Sequence, residues 1–127
     1  MKTQAINAPD APPAAGGYAQ ALQVEGVQRW LFVSGQIPAT PEGDVPDGFE
    51  AQAALAWRNV MSQLRAAGMD ASHLVKVTTF LASRDDTLAN RVARQQALGA
   101  YTPALTVIIT GIFDSRWLLE IEAIAAA

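Results

Sequence analysis

Cysteine is absent from the 127-residue chain, and histidine occurs only once. Without cysteine the protein forms no disulfides or thiolate metal sites, and it has no cysteine nucleophile. A single histidine leaves no histidine cluster for zinc or iron. We therefore expect chemistry that uses no metal and no cofactor, and the missing cysteine says nothing about the cellular compartment.

Basic residues and long apolar runs are also scarce. Nine lysines and arginines against twelve acids give a net charge of −3, without a basic run to follow a phosphate backbone. The longest apolar run is far below the roughly 20 residues of a membrane span. Residues 1–17 lack the apolar segment of a secretion signal and predict a short extended arm. These features predict a single cytoplasmic domain, 1–127, with no nucleic-acid or membrane partner.

The remaining patterns predict strands and helices in a mixed order. Branched and aromatic residues predict strands at 18–24, 29–34, 75–81, 104–109 and 117–125, the first two joined as a hairpin. Apolar residues at three- and four-residue steps predict helices at 49–67, ended by Gly68, and at 85–98. The order strand, strand, helix, strand, helix, strand, strand suits an α+β domain with both helices on one sheet face.

The later strands carry apolar residues on both faces. Ile108 alternates with Val107 and Ile109, so each face of that strand is apolar. Helices on one side cover only one face of a sheet, and the other face also needs cover. Burial by a second copy of the chain is the economical expectation.

Glu120 and Glu122 are the candidates for acid–base chemistry. Being two apart on a predicted strand, they leave the same face. One interpretation is a solvated or ion-paired face. The other is that one carboxylate, partly desolvated in a cleft, holds or activates a water. Leu118 and Ile124 leave the same face of the strand as this pair, which favours a face that is only partly exposed to solvent.

The other polar candidates are weaker. His73 opens a strand after a turn, which is typical of a structural histidine. Ser34 precedes a glycine, but the Gly-X-Ser-X-Gly elbow of serine hydrolases is missing. Arg116 shares the parity of Glu120 at about 13 Å along the strand. That distance favours a surface role for Arg116, with a cation at the site as the alternative.

Several short segments, taken in order, resemble the Rid family, also called YjgF or reactive intermediate deaminases. They are Tyr18, Ser34–Pro38, Gln52, Asn59–Val60, Ala67–Gly68, Val75–Thr78, Asn90, Pro103–Ala104 and Glu120–Ala125. The likeness extends over nearly the whole chain, from about Tyr18 to Ala125. It implies a chorismate-mutase-like α+β fold and a homotrimer whose sheets line an inner barrel, with clefts between subunits.

The resemblance also implies a chemistry and a site. The deaminating members of the family hydrolyse imines and enamines formed from amino acids, without metal or cofactor. By similarity Tyr18, Ser34 and Asn90 fall at cleft positions that contact a small-molecule ligand, and Glu120 falls at the water-holding position.

The stretch TPAL, residues 102–105, departs from the family pattern. After Pro-Ala the deaminating members carry an arginine whose planar fork grips the substrate carboxylate. This chain has Leu105 there, and losing such a pair costs about 2–5 kcal/mol. We therefore expect a divergent enzyme in which Leu105 forms an apolar wall and the substrate lacks the usual carboxylate.

Other functions stay open at this point. The scaffold suits a non-catalytic metabolite-binding or interaction protein in which Glu120 is structural. Retained deamination needs Arg116, Arg91 or Arg94 to replace the missing cation. A ribonuclease activity, after an older label of some relatives, is opposed by the acidic charge balance and by the lack of a histidine pair.

Overall fold

A computed structural model describes residues 1–127, which form six strands and two helices. In chain order they are β1 (Lys2–Ile6), β2 (Ala21–Glu25), β3 (Trp30–Gln36), α1 (Phe49–Ala66), β4 (Leu74–Leu81), α2 (Thr87–Leu98), β5 (Ala104–Ile109) and β6 (Leu119–Ala126). Single 3-10 turns at Ala71–His73 and Arg84–Asp86 precede β4 and α2. Neither helix combines the length and the apolar character that crossing a bilayer requires.

Four strands form the main sheet in the order β3-β6-β4-β5. The pair β4 and β5 is parallel, and the other two pairs are antiparallel. A parallel pair needs a crossover connection, and α2 supplies it. β1 and β2 form a separate two-stranded sheet, which meets the main sheet at the bridge between Ala19 and Ala104. That bridge brings the segment around Tyr18 to the start of β5.

The predicted hairpin between 18–24 and 29–34 is wrong in its pairing. β2 pairs with β1, with Ala5 opposite Leu22, whereas β3 pairs with β6, with Val33 opposite Ala123. Part of the expected N-terminal arm is therefore a strand. Every side chain of β1 is exposed, so no buried alternation marks it, and backbone pairing alone orders this segment.

Both helices pack on one face of the main sheet, as predicted. α1 buries the predicted residues Phe49, Ala53, Ala56, Trp57, Val60 and Leu64. They share one core cluster with Val77 and Ile121 of the sheet. Gly68 follows α1 with a φ of +71°, the left-handed conformation that stops a helix.

α2 begins at Thr87, two residues after the predicted start, because a 3-10 turn precedes it. The Ser83 hydroxyl accepts a hydrogen bond from the Asp85 amide at 3.1 Å and caps that turn. The buried residues of α2 are Asn90, Arg94 and Leu98, spaced four apart. Because two of the three are polar, the apolar pattern of this helix is weak in the sequence.

Two side-chain amides of α1 hold the segments that lead into β6 and out of β3. The Gln52 amide donates to the carbonyls of Pro46 and Arg116, and its oxygen accepts from the Leu118 amide at 2.8 Å. The Asn59 amide donates to the carbonyls of Ile37 and Ala39. These bonds fix the entry to β6 and the exit from β3, the two strands that carry Glu120 and Ser34.

The sheet face away from the helices is open and partly apolar. Phe32 lies 73% exposed on this face, opposite Ile124 in the strand register. Ile108, 42% exposed, lies beside Phe80 on the same face. Aromatic and branched side chains at this exposure favour burial against another surface.

We predict that a second and third copy of the chain cover this face. Light scattering is expected to give three times the 13.5 kDa chain mass. Phe32→Glu places a charge on the covered face and is expected to yield monomers. Leu88→Glu is the matched control, since Leu88 is equally exposed, at 73%, on α2. A monomeric natural chain, or a trimeric Phe32→Glu variant, would contradict this prediction.

Candidate functional site

Three of the predicted site residues, Tyr18, Asn90 and Leu105, line one recess beside α2. The whole lining is Gly16, Tyr18, Thr87, Asn90, Arg91, Arg94, Leu105 and Val107, and the cavity volume is about 230 Å³. We call this cavity the α2 recess. It forms because α2 crosses over β5 while the bridge at Ala19 holds Tyr18 against the start of that strand.

Two polar groups of the α2 recess are partly unsatisfied. The Asn90 side chain is buried, and its Oδ1 has no hydrogen-bond partner. The Tyr18 hydroxyl accepts from the Ala15 amide at 3.2 Å, which leaves its own proton free. Buried polar atoms are usually paired, so these groups are suited to contact a ligand.

Arg94 also lines the α2 recess, although the sequence indicated it only as one of three arginines that could replace the missing cation. Its side chain is only 5% exposed, and its guanidinium lies 6.0 Å from the centre of the Tyr18 ring. Nη2 donates to the Gly16 carbonyl at 3.3 Å, and Nε has no partner. Burial lowers the pKa of Arg94, and the charge of Arg91 lowers it further, against an opposing effect of Tyr18. The signal for a buried arginine was its place four residues after Asn90.

Glu120 lies on the opposite face of the sheet. It is half-buried and stands across from Phe80 in the strand register. With Phe80 and the loop from Thr110 to Phe113 it lines a second cavity of about 280 Å³, the Glu120 recess. Its carboxylate forms no ion pair and no side-chain hydrogen bond within the chain. Both oxygens are therefore available to a water or a ligand.

A bulge at Ser34 and Gly35 makes room for the Glu120 carboxyl group. Three steps along β3, from Val33 to Gln36, match only two along β6. The bulge brings Gly35 against Glu120, and a Cβ atom at residue 35 would collide with its carboxyl group. The glycine in the Ser-Gly-Gln segment is thus explained by the close approach of an acid.

Ser34 faces a third cavity on the open face. Its neighbours there include Lys76, Thr78 and Glu122. The ammonium group of Lys76 donates to the Thr106 hydroxyl at 2.6 Å and forms no ion pair with Glu122. Ser34 is exposed, and within one chain this cavity is separate from both recesses described above.

The five predicted site residues therefore do not form a single site within one chain. Leu105 is in register with Val77, whose side chain belongs to the core on the helix side. Glu120 is in register with Phe80, one of the side chains on the open side. The sheet separates the two groups, so residues 105 and 120 meet in one cleft only if two copies contribute to it.

Arg116 and His73 are engaged in local structure. The Arg116 guanidinium donates to both carboxylate oxygens of Asp114, at 3.2 and 2.9 Å. This pairing lowers the pKa of Asp114 and raises that of Arg116. His73 Nδ1 accepts from the Asp70 amide at 3.0 Å in a capping box. Both residues have the local role that the sequence favoured, and neither lines the two recesses.

No group of three or more histidine, aspartate or glutamate side chains is arranged to hold a metal ion. The side-chain groups that line the two recesses are one free carboxylate, one buried and one exposed guanidinium, an amide, a phenol and two threonine hydroxyls.

Gly35→Ala tests the packing of Glu120. We predict a loss of about 1–3 kcal/mol in the free energy of unfolding, because the new methyl group overlaps the carboxyl group. Gly111→Ala is the control, since no atom lies within 4 Å of its added Cβ and its φ is not left-handed. Denaturation in urea measures both variants. Glu120→Ala in the Gly35→Ala background is expected to recover most of the loss, and an unrelieved loss would contradict the contact.

Comparison with known proteins supports the fold and the family. The family model described as Endoribonuclease L-PSP matches residues 8–127. Protein DfrA of Myxococcus xanthus is 36% identical over 134 aligned residues, covering 100% of this chain and 98% of its own. A 2-iminobutanoate/2-iminopropanoate deaminase of Mus musculus is 34% identical, covering 94% of this chain and 88% of its own.

Solved structures show the same architecture. A Rid-family protein of Yersinia pestis, YyfB, superposes with a TM-score of 0.86 at 24% identity over 100% of both chains. E. coli TdcF, crystallised with bound serine, superposes with a TM-score of 0.73 at 30% identity over 98% of both chains. The predicted chorismate-mutase-like α+β fold is confirmed. The chain belongs to the Rid family, also known as YjgF or L-PSP.

Proposed function

We propose that this protein is a divergent Rid-family hydrolase that deaminates an imine, an enamine or a related electrophile, with Glu120 holding the attacking water. The observation that carries the proposal is the state of the Glu120 carboxylate. The Glu120 side chain is half-buried and packs against Gly35, and its carboxylate forms no ion pair and no side-chain hydrogen bond. Relatives of similar length are named imine deaminases, which supports the reaction class.

The proposed reaction needs one positioned base and no electron transfer. Glu120 takes one proton of the water as the oxygen adds to the carbon of the C=N bond, and it passes that proton to nitrogen, which gives a carbinolamine. Glu120 then takes the hydroxyl proton of the carbinolamine and delivers it to the amine nitrogen as the C–N bond breaks, leaving a carbonyl compound and ammonia. An enamine first gains a proton on carbon and loses one from nitrogen to become the imine. A single carboxylate serves each proton transfer in turn.

Two copies are proposed to build each active site in a homotrimer. The sheet places the α2 recess and Glu120 on opposite faces, so a cleft that joins them requires a neighbouring copy. The apolar side chains on the open face, Phe32 and Ile108 among them, supply surface for that contact. The small-molecule ligand is proposed to lie between the α2 recess of one copy and Glu120 of the next.

The substrate is proposed to differ from that of the deaminating relatives at its reacting end. Leu105 is half-buried in the α2 recess and offers no hydrogen-bond donor. A carboxylate attached directly to the C=N carbon therefore lacks its usual partner on β5. An apolar substituent at that carbon packs against Leu105 instead.

The alternative is a binding or interaction protein on the same scaffold. The unsatisfied Asn90 oxygen and the buried Arg94 suit ligand binding whether or not a reaction follows. Ligand binding without product formation would establish this alternative.

Glu120→Gln tests the catalytic role. The amide keeps the shape of the carboxyl group and is not basic, so ammonia release from imines made in situ by amine oxidation is expected to fall by at least about 100-fold. Glu122→Gln makes the same change two residues along β6 and is expected to keep full turnover. Unchanged turnover in Glu120→Gln would remove this residue from the mechanism.

Leu105→Arg tests the role of the apolar wall. Ammonia release from 2-aminoacrylate is expected to be low in the natural chain and to rise about 30-fold or more when the cation is restored. Leu88→Arg adds the same charge on the exposed side of α2 and is expected to have no effect. High activity of the natural chain toward 2-aminoacrylate would contradict the proposed substrate preference.

A further inference from the structure

We infer that the α2 recess binds the carboxylate of its ligand through Arg94, and that a short apolar spacer separates this carboxylate from the reacting carbon. The inference rests on the proposed function only in placing the α2 recess at the substrate site. It assigns a specificity role to a residue of α2 rather than of β5.

Arg94 is a buried cation without an anion. Only 5% of the residue is exposed, and no carboxylate of the chain lies within ion-pair distance of its guanidinium. A single hydrogen bond to the Gly16 carbonyl, at 3.3 Å, leaves Nε without an acceptor. An unpaired buried charge is costly, and a ligand carboxylate that accepts from the guanidinium offsets this cost.

The surroundings of Arg94 also favour an anion. None of the residues lining the α2 recess is acidic, and Arg91 adds a second positive charge. The depressed pKa of Arg94 has the same origin, since burial and Arg91 disfavour a charge that no partner compensates. The free proton of the Tyr18 hydroxyl is a further donor, and the Asn90 amide presents either an oxygen or an NH₂ group once turned.

The apolar wall sets the spacing of the ligand. Leu105 and Val107, on the same side of β5, line the recess together with Arg94. The part of the ligand that lies along β5 therefore contacts hydrocarbon, and the charged group lies toward α2. A volume of about 230 Å³ is larger than a cavity that holds one benzene molecule, so the recess admits a ligand of several carbon atoms. These features describe a small aliphatic carboxylate with its charge at the end of the chain.

Butyrate is the probe for this site, because it joins one carboxylate to a short aliphatic chain and undergoes no hydrolysis. The dissociation constant for butyrate is measured by NMR titration of the full chain at constant ionic strength. Arg94→Met is expected to weaken butyrate binding by at least about 30-fold, because it removes a buried charge partner. Arg58→Met is the control, since it removes an exposed positive charge from α1. Butyramide, the neutral analogue, is expected to bind weakly to every variant.

Two further measurements separate a binding defect from a folding defect. Arg94→Lys keeps the charge and is expected to bind butyrate more tightly than Arg94→Met. In the natural chain the Nε–H resonance of Arg94 is expected to shift with butyrate and not with butyramide. Three results would each overturn the inference. They are equal butyrate affinity in the natural chain and in Arg94→Met, equal affinity of the natural chain for butyrate and butyramide, and an Nε–H resonance that butyrate does not shift.

The outcome is independent of the catalytic proposal. Glu120→Gln is expected to keep butyrate binding within about threefold, since the carboxylate does not contact the bound anion. Butyrate binding through Arg94 in a protein without turnover would disprove the hydrolase and leave the carboxylate-binding role of Arg94 standing. Turnover that depends on Glu120, together with butyrate binding that Arg94→Met leaves unchanged, would support the hydrolase and disprove this inference.

Discussion

A single sheet with both helices on one side is the constraint on which the rest of this structure depends. Alternation along the strands sends every second side chain to the helices and the others to an open face. Leu105 therefore lies with α2 and Glu120 lies opposite, in one rigid sheet. The same constraint leaves Phe32 uncovered. Association between copies of the chain would cover the open face and would also bring the two recesses together.

The local elements could be predicted from the sequence where buried residues are apolar and regularly spaced. α1, β4 and β5 have close to their predicted bounds for this reason. The hairpin prediction failed because strand pairing depends on distant partners, and the sequence of β1 carries no buried alternation. Arg94 was named only as one of several cations that could replace the missing arginine. A polar residue at a buried position weakens the apolar pattern by which a helix is predicted. That no carboxylate lies near Arg94 is visible only in the three-dimensional structure.

The candidate site combines a carboxylate without an ion pair and a buried cation without an anion. Glu120 keeps its place because the Ser34–Gly35 bulge leaves space for its carboxyl group. Leu105 replaces the positive group that family resemblance leads one to expect on β5, while Arg94 supplies a buried charge from α2. In the proposed enzyme Glu120 transfers the protons of the reaction. The positions of Leu105 and Arg94 determine which electrophiles bind next to it.

The most direct measurement is subunit complementation between Glu120→Gln and Asn90→Leu. Each variant alone lacks one half of the proposed site and is expected to be inactive. Unfolding the two together and refolding them gives mixed trimers in which about one quarter of the clefts combine an intact Glu120 with an intact α2 recess. Turnover is therefore expected to return to about one quarter of the natural level. An inactive mixture, with subunit exchange demonstrated by mass spectrometry, would contradict a site shared between copies.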